Sequence, residues 1–286
     1  MATPFPTAWF NGQFMPLADV NISPLDRGFL FGDGVYEVIP VYDGKLFRLA
    51  AHLRRLQYSL DAIRLANPQD DAAWEPMLRE LVEKSGDGNQ AVYLQVTRGA
   101  DQGRDHVFPK GVPATVFAMS MPLSGLPERL QNDGARVITL SDIRWQRCDI
   151  KSTALLGNVL LRQTAADQDC DEAILIQDGY ATEGTASGLF IVHGGTLMTP
   201  PKSTDLLPSI TRDVIVELAT GLGMPLREAR IPESELHAAE EIWLASSTRE
   251  VYAVTELDGQ RIGSGKPGPH WRRIYDAFQE LKHAGA

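Results

Sequence analysis

A lysine, a glutamate, a helix start rich in hydroxyls and a loop with two arginines and a histidine are the residues of this chain best placed to do chemistry. Lys151 stands in "WQRCDIKSTALLGN" between a strand-like segment and the start of a helix. An amine sheltered at the end of a strand is a competent Schiff-base nucleophile. The plain alternative is a solvated surface lysine. Glu183, in "YATEGTASGLF", precedes a glycine and lies between two strand-like runs. A carboxylate there can keep a pyridinium nitrogen protonated, or it can be an ordinary turn glutamate. "LPSITRDVI" places Ser209, Ile210 and Thr211 at a helix start, where unpaired amides and the helix dipole attract anions. Ser209 or Thr211 acting only as an N-cap explains the same letters. "ASSTRE" adds three hydroxyls at a strand end, and "TRGADQGRDHVFP" puts Arg98, Arg104 and His106 in a loop suited to a carboxylate, or simply polar.

The elements that must position these groups are legible from periodicity and turn chemistry. Leu49, Leu53, Leu56, Leu60 and Ile63 recur at alternating four- and three-residue intervals, which predicts an amphipathic helix. "AAWEPMLRELVEKSG" predicts a second helix, and "QAVYLQVTRG" and "ATVFAMSMP" predict strands. Asn11-Gly12 and Asp43-Gly44 predict hairpin turns. Pro, Gly and Ser then concentrate in "MPLSGLPERL". We place a boundary there, giving a small N-terminal domain over 1–121, a linker over 122–127 and a larger C-terminal domain over 128–286. In the second part, "ARVITLSDI" and "EEIWLASS" read as strands. The run from Glu172 to Pro200 reads as a meander punctuated by Asp178-Gly179 and Gly194-Gly195. "LLGNVLLRQTAADQ", "TRDVIVELATGLG" (capped by Gly223) and "HWRRIYDAFQELKH" read as helices, and "VYAVTELDGQRIG" as a hairpin. The class is α/β (α+β) with much antiparallel sheet, and no glycine-rich dinucleotide fingerprint is present.

Bulk properties narrow the partners. A formal net charge of -10 argues against nucleic acid and against an anionic membrane surface. No apolar run approaches the ~20 residues of a membrane helix. The start, "MATPFPTAWFNG", lacks the basic and apolar regions of a secretory signal. Cys148 and Cys170 form no CxxC and have no histidine cluster beside them, so we expect reduced thiols, no metal and a cytoplasmic protein.

Taken in order, "SPLDRGFLFGDGVYEV", "FRLAAHLRRL", "DIKSTALLGNVL", "ATEGTASGLF", "LPSITRD" and "SSTRE" resemble the class IV, fold-type IV aminotransferases that depend on pyridoxal 5'-phosphate. The resemblance runs from about residue 9 to about residue 270. Within that class the chain looks most like bacterial D-amino-acid transaminases, because of the Arg104-x-His106 pair in "GRDHVFP". Branched-chain L-amino-acid aminotransferases and aminodeoxychorismate lyases share the other motifs and are the alternatives. The resemblance implies two α/β domains with the cofactor at their interface, and a cytoplasmic homodimer. It implies ping-pong transamination between a D-alanine-like amino acid and a 2-oxo acid such as 2-oxoglutarate or pyruvate. Lys151 would form the aldimine and move the proton, and Glu183 would pair with the pyridine nitrogen. Arg55, Ile210, Thr211 and Ser247 would hold the phosphate, and Leu207 would pack on the ring. Tyr36, Arg104 and His106 would take the substrate carboxylate, the last two from the neighbouring subunit, with Arg98 nearby.

Overall fold

Paired residues in the left-handed region close the first sheet. Asn11 and Gly12, at φ 46° and 100°, join β1 (Thr7–Phe10) to β2 (Gln13–Pro16) in this computed structural model, which describes residues 3–284. Two positive φ values in a two-residue loop match the twist of antiparallel strands, and Asn-Gly reaches them at low cost. A short helix, α1 (Arg27–Phe31), precedes β3 (Gly34–Tyr42), which turns through Asp43-Gly44 into β4 (Lys45–Leu46). Then come α2 (Leu49–Ala62), α3 (Asp71–Ser85), β5 (Gln90–Thr97) and β6 (Thr115–Pro122). The strands form one antiparallel sheet in the order β2-β1-β6-β5-β3-β4. Leu53, Leu56 and Leu60 of α2 and Trp74, Leu78 and Leu81 of α3 share a core with Val35, Ile39, Val92, Leu94 and Val96 of the sheet. Each fully buried leucine contributes roughly 1.5–3 kcal/mol. The predicted stripe stops one residue early: α2 ends at Ala62, and Ile63 is its C-cap.

The second unit contains α4 (Glu128–Asn132), β7 (Ala135–Ser141), α5 (Leu156–Ala166), β8 (Glu172–Gln177), β9 (Tyr180–Gly184), β10 (Gly188–His193) and β11 (Thr196–Thr199). It continues with α6 (Ile210–Gly221), β12 (Leu226–Glu228), β13 (Ile231–Pro232) and α7 (Glu233–His237). β14 (Glu241–Ser246), β15 (Glu250–Leu257), β16 (Gln260–Arg261) and α8 (Pro269–His283) complete it. Its sheet runs β12-β11-β10-β14-β15-β7-β8-β9-β13, with β16 on β15. Most pairs are antiparallel, as the sequence predicts. β7, however, is parallel to both β15 and β8, and β11 is parallel to β12. Parallel neighbours need a crossover, and the chain from Asp142 through α5 supplies it between β7 and β8.

That crossover changes the domain division. The two compact units part between Ser124 and Gly125, within the stretch read as a linker, but Ile150–Leu155 groups with the first unit. A boundary drawn once along the chain misses this return. Its cause is the open edge of β3 beyond β4. The Tyr36 amide donates to the Lys151 carbonyl at 3.0 Å, the Thr153 amide donates to the Gly34 carbonyl at 3.0 Å, and Ser152 bridges Val35. Ile150 enters the first unit's core. An unpaired strand edge is a standing demand for hydrogen bonds, and this segment meets it. Among the described residues no helix is long and apolar enough to cross a membrane, and no group of three or more His, Cys, Asp or Glu is placed to hold a metal. Cys148 and Cys170 are free and buried. Burial raises the Cys148 thiol to about 11, so it is not a ready nucleophile.

Candidate active site

Lys151 does not end a strand: β7 stops at Ser141, and the lysine lies in the irregular segment docked on β3. Both of its backbone polar groups are engaged, the carbonyl by Tyr36 and the amide by the Ser59 hydroxyl of α2 at 3.2 Å. The main chain is therefore fixed while the side chain is half-exposed. Its Nζ lies 4.1 Å from the centroid of the Tyr36 ring, on the electron-rich face. Tyr36 in turn stacks on Tyr93, with ring centroids 5.5 Å apart.

Strand alternation sends Glu37 to the opposite side of the sheet from Tyr36. Glu37 is fully buried and receives Nε and one terminal nitrogen of Arg55 at 2.8 and 2.7 Å. His52 Nδ1 meets the same carboxylate at 2.8 Å. An ionised carboxylate only accepts, so Nδ1 carries the proton. His52, Arg55 and Ser59 are all on α2 at helical spacing. Burial works to raise the Glu37 carboxyl, but the charge and hydrogen bonds of Arg55, with those of His52, prevail and bring it from 4.5 to about 2. A lowered folded-state value stabilises the fold above the unfolded value and ceases to do so as pH falls from 4.5 through about 2. Glu37→Gln removes the buried carboxylate charge that Arg55 and His52 share and is expected to cost about 3–5 kcal/mol at neutral pH. It should also remove this group's share of the acid loss. Urea unfolding of both proteins at pH 7 and pH 3 checks both effects.

The loop that carries Arg104 and His106 is exposed, and side chains of the same unit stage it. Arg98 is buried and used internally. Its guanidinium donates to both oxygens of Asp33 and to the carbonyls of Ile63 and Arg64, and it lies 3.7 Å over the Phe108 ring. Arg104 lies 4.9 Å over the Phe31 ring, and His106 packs on the same ring at 5.2 Å.

In the second unit Glu183 lies on β9 and is buried, not exposed in a turn. Arg144 donates to it at 2.6 Å, and the Leu207 amide meets both of its oxygens at 3.2 Å. Asp142 holds the other side of the Arg144 guanidinium, at 2.8 to 3.3 Å. Burial raises the Glu183 carboxyl to about 7 even against Arg144 and the Leu207 amide. α6 opens with Ser209 as N-cap, its hydroxyl accepting the Arg212 amide at 3.2 Å. The amides of Ile210 and Thr211 fall in the first turn, where a helix offers no acceptor, and both residues are buried. Gly188, at the start of β10, pairs with Ala245 at the end of β14 and packs against Ser209, with 3.8 Å from its would-be Cβ to the serine's. These three element ends thus converge. Ser247 lies half-buried in the turn that follows β14.

The sequence reading missed Glu37, Arg144 and the Leu207 amide. Glu37 sits beside Tyr36 in a motif already singled out, and strand alternation could have flagged it as an inward carboxylate needing a cation. Arg144 has a local partner in Asp142, but nothing near it in the chain points to Glu183, which lies on another element.

With this geometry in hand, the sequence model of the amino-transferase class IV family matches residues 34–257. This chain is a class IV aminotransferase. The match spans Tyr36, Lys151, Glu183 and the start of α6. The class IV aminotransferase is 40% identical over 270 residues to the D-alanine aminotransferase of Bacillus licheniformis, which covers 94% of this chain and 95% of that one. It is 36% identical over 273 residues to the D-alanine aminotransferase of Staphylococcus aureus (strain N315), covering 95% and 96%. Among solved structures it superposes on the branched-chain amino acid aminotransferase of Escherichia coli with a TM-score of 0.93 at 27% identity, covering 97% and 94%. It is also similar to the branched-chain aminotransferase of Thermoproteus uzoniensis, with a TM-score of 0.90 at 25% identity over 98% and 96%.

Proposed function

We propose that this aminotransferase transfers the amino group of a D-alanine-like D-amino acid to a 2-oxo acid such as 2-oxoglutarate or pyruvate, with pyridoxal 5'-phosphate as cofactor and ping-pong kinetics. The observation that carries the reading is Lys151, an amine on a fully bonded backbone, poised over a tyrosine ring. The D-alanine aminotransferase relatives, alike over nearly the whole chain, support the choice of a D-amino acid. So does the Arg104-x-His106 pair. Likeness to branched-chain enzymes at 25–27% identity reflects a fold that both groups share.

The residues present suit the cofactor. The buried Glu183 carboxylate, oriented by Arg144 and an amide, matches a ring nitrogen that must stay protonated. The first-turn amides of Ile210 and Thr211, the Thr211 hydroxyl and the dipole of α6 match a phosphate dianion. Ser247 and Arg55 would complete the phosphate grip. Leu207 would pack against the ring. When bound, the cofactor supplies an electron-withdrawing ring that makes the amino acid's Cα–H acidic. Lys151 Nζ, as the neutral amine, would take that proton and return it two atoms away, across the amino nitrogen at the carbon attached to the cofactor ring, acting first as base and then as acid. Glu183 would keep the proton on the ring nitrogen throughout.

Enantiomer choice then depends on where the carboxylate is anchored, since one amine on one face can serve either hand if carboxylate and side chain exchange places. We assign the anchor to Tyr36 with Arg104 and His106 of the neighbouring subunit of a homodimer. Exposed Val107 and Phe108 of this loop, and exposed Phe29 of α1, suit such a contact. The visible absorption of the purified holoenzyme tests the reading. The cofactor band should bleach on adding D-alanine and stay unchanged with L-leucine. Bleaching by L-leucine alone overturns the D assignment in favour of a branched-chain L-amino-acid enzyme.

A further inference from the structure

We propose that Arg27 is the positioning residue of the substrate-carboxylate loop, a buried guanidinium that holds Arg104 and His106 in shape by collecting the carbonyls between and around them. The inference rests on reading Arg104 and His106 as the carboxylate-binding pair. Arg27 is 3% exposed, unusual for an arginine outside a site. Nε donates to Asp33 at 2.8 Å. One terminal nitrogen donates to the Asp105 carbonyl at 2.5 Å and reaches the Val107 carbonyl at 3.4 Å, and the other donates to the His106 carbonyl at 3.2 Å. Three successive loop carbonyls therefore turn onto one cation, while the side chains of Arg104 and His106 stay exposed. Only a planar fork can serve that many acceptors from one point.

The support beneath Arg27 is rigid. Asp26 caps α1, accepting the Gly28 amide at 2.8 Å and the Thr97 and Thr115 hydroxyls at 2.8 and 2.6 Å. Gly28 has no room for a side chain, since a Cβ there would lie 2.3 Å from Thr97. Asp33 is shared with Arg98, which also stacks on Phe108 at the far end of the loop. Phe31, one helical turn after Arg27, completes the platform. Its ring is 4.8 Å from the Arg27 guanidinium, 4.9 Å from that of Arg104 and 5.2 Å from the His106 ring. Arg27 and Phe31 thus hold the loop's backbone and its two functional side chains, and neither needs to touch substrate. A carboxylate site built on an exposed loop binds well only if the loop is ordered before the substrate arrives.

The test uses holoenzyme of the wild type, Arg27→Gln, Arg27→Lys and Phe31→Leu. The last leaves the Arg27–Asp33 pair intact should Arg27→Gln fold poorly. Tryptic cleavage after Arg104 is expected to quicken about 10-fold or more in Arg27→Gln, with Arg27→Lys and Phe31→Leu between it and wild type. KM for D-alanine should rise about 10-fold or more while kcat and the cofactor band change little, since misplacement of a binding group by an ångström carries effects of this size. Unchanged loop cleavage in both the folded Arg27 variants and Phe31→Leu overturns the staging role. Arg104→Ala separates the two readings: an unchanged KM for D-alanine there overturns the carboxylate pair itself, even if the Arg27 variants loosen the loop.

Discussion

Lys151→Ala is expected to remove steady transamination, lowering turnover by a factor of 10³ or more, while leaving the fold almost untouched. Both halves of that expectation come from the same geometry. The contacts that seat residue 151 are made by its backbone, to the Ser59 hydroxyl and the Tyr36 amide, and alanine keeps them. What leaves is an ammonium over the Tyr36 ring, worth about 0.5–1 kcal/mol at a partly exposed site. A positioned acid–base group alone contributes 10²–10⁴-fold, and here the same amine would also form the covalent link to the cofactor. Turnover measured beside a thermal melt distinguishes this from simple unfolding. A variant that works near the wild-type rate would take Lys151 out of the chemistry.

Glu183→Gln carries the second-largest expected effect, a fall of about 10²–10³ in kcat. That is the usual cost of removing one fixed electrostatic partner from a buried reacting centre. The amide keeps the shape and still accepts the Leu207 N–H, but it carries no negative charge to hold a proton on a ring nitrogen. Arg144 is not stranded by the change, because Asp142 binds the same guanidinium. Stability should move the other way. Burial lifts the Glu183 carboxyl from 4.5 to about 7. A carboxyl raised on folding favours the folded state only while protonated, so its contribution is complete below 4.5 and is lost as pH rises through about 7. The cofactor-free Glu183→Gln protein should therefore lose less stability than cofactor-free wild type between pH 5 and pH 8. Melting curves across that range report on Glu183 independently of activity. Steeper loss in the variant would mean that Arg144, not burial, dominates the site.

Both variants probe residues of one kind, and their partners are of another. Lys151 and Glu183 lie in motifs that carry a family resemblance. The side chains that tune them, Arg144 beside Glu183 and Ser59 beside Lys151, carry none, and only folding brings each to its partner.

The local rules held where the physics is local. The alternating leucines of α2 became a buried stripe, because the helical repeat is set by backbone geometry. Asn11-Gly12 and Asp43-Gly44 became two-residue hairpin turns, because few other residues take positive φ cheaply. Ser209 caps α6 through its own hydroxyl three residues ahead. The tertiary structure decided what depends on partners far along the chain. It sent the lysine segment back to the open edge of β3, made β7 a parallel strand, buried Glu37 with Arg55 and His52, and drew Arg98 inward onto Asp33. It also gathered the carbonyls of the exposed loop around Arg27. Hydrogen-bond demand at a strand edge and charge demand in a buried space are satisfied by whatever the fold delivers. No spacing along the sequence encodes which residue that will be.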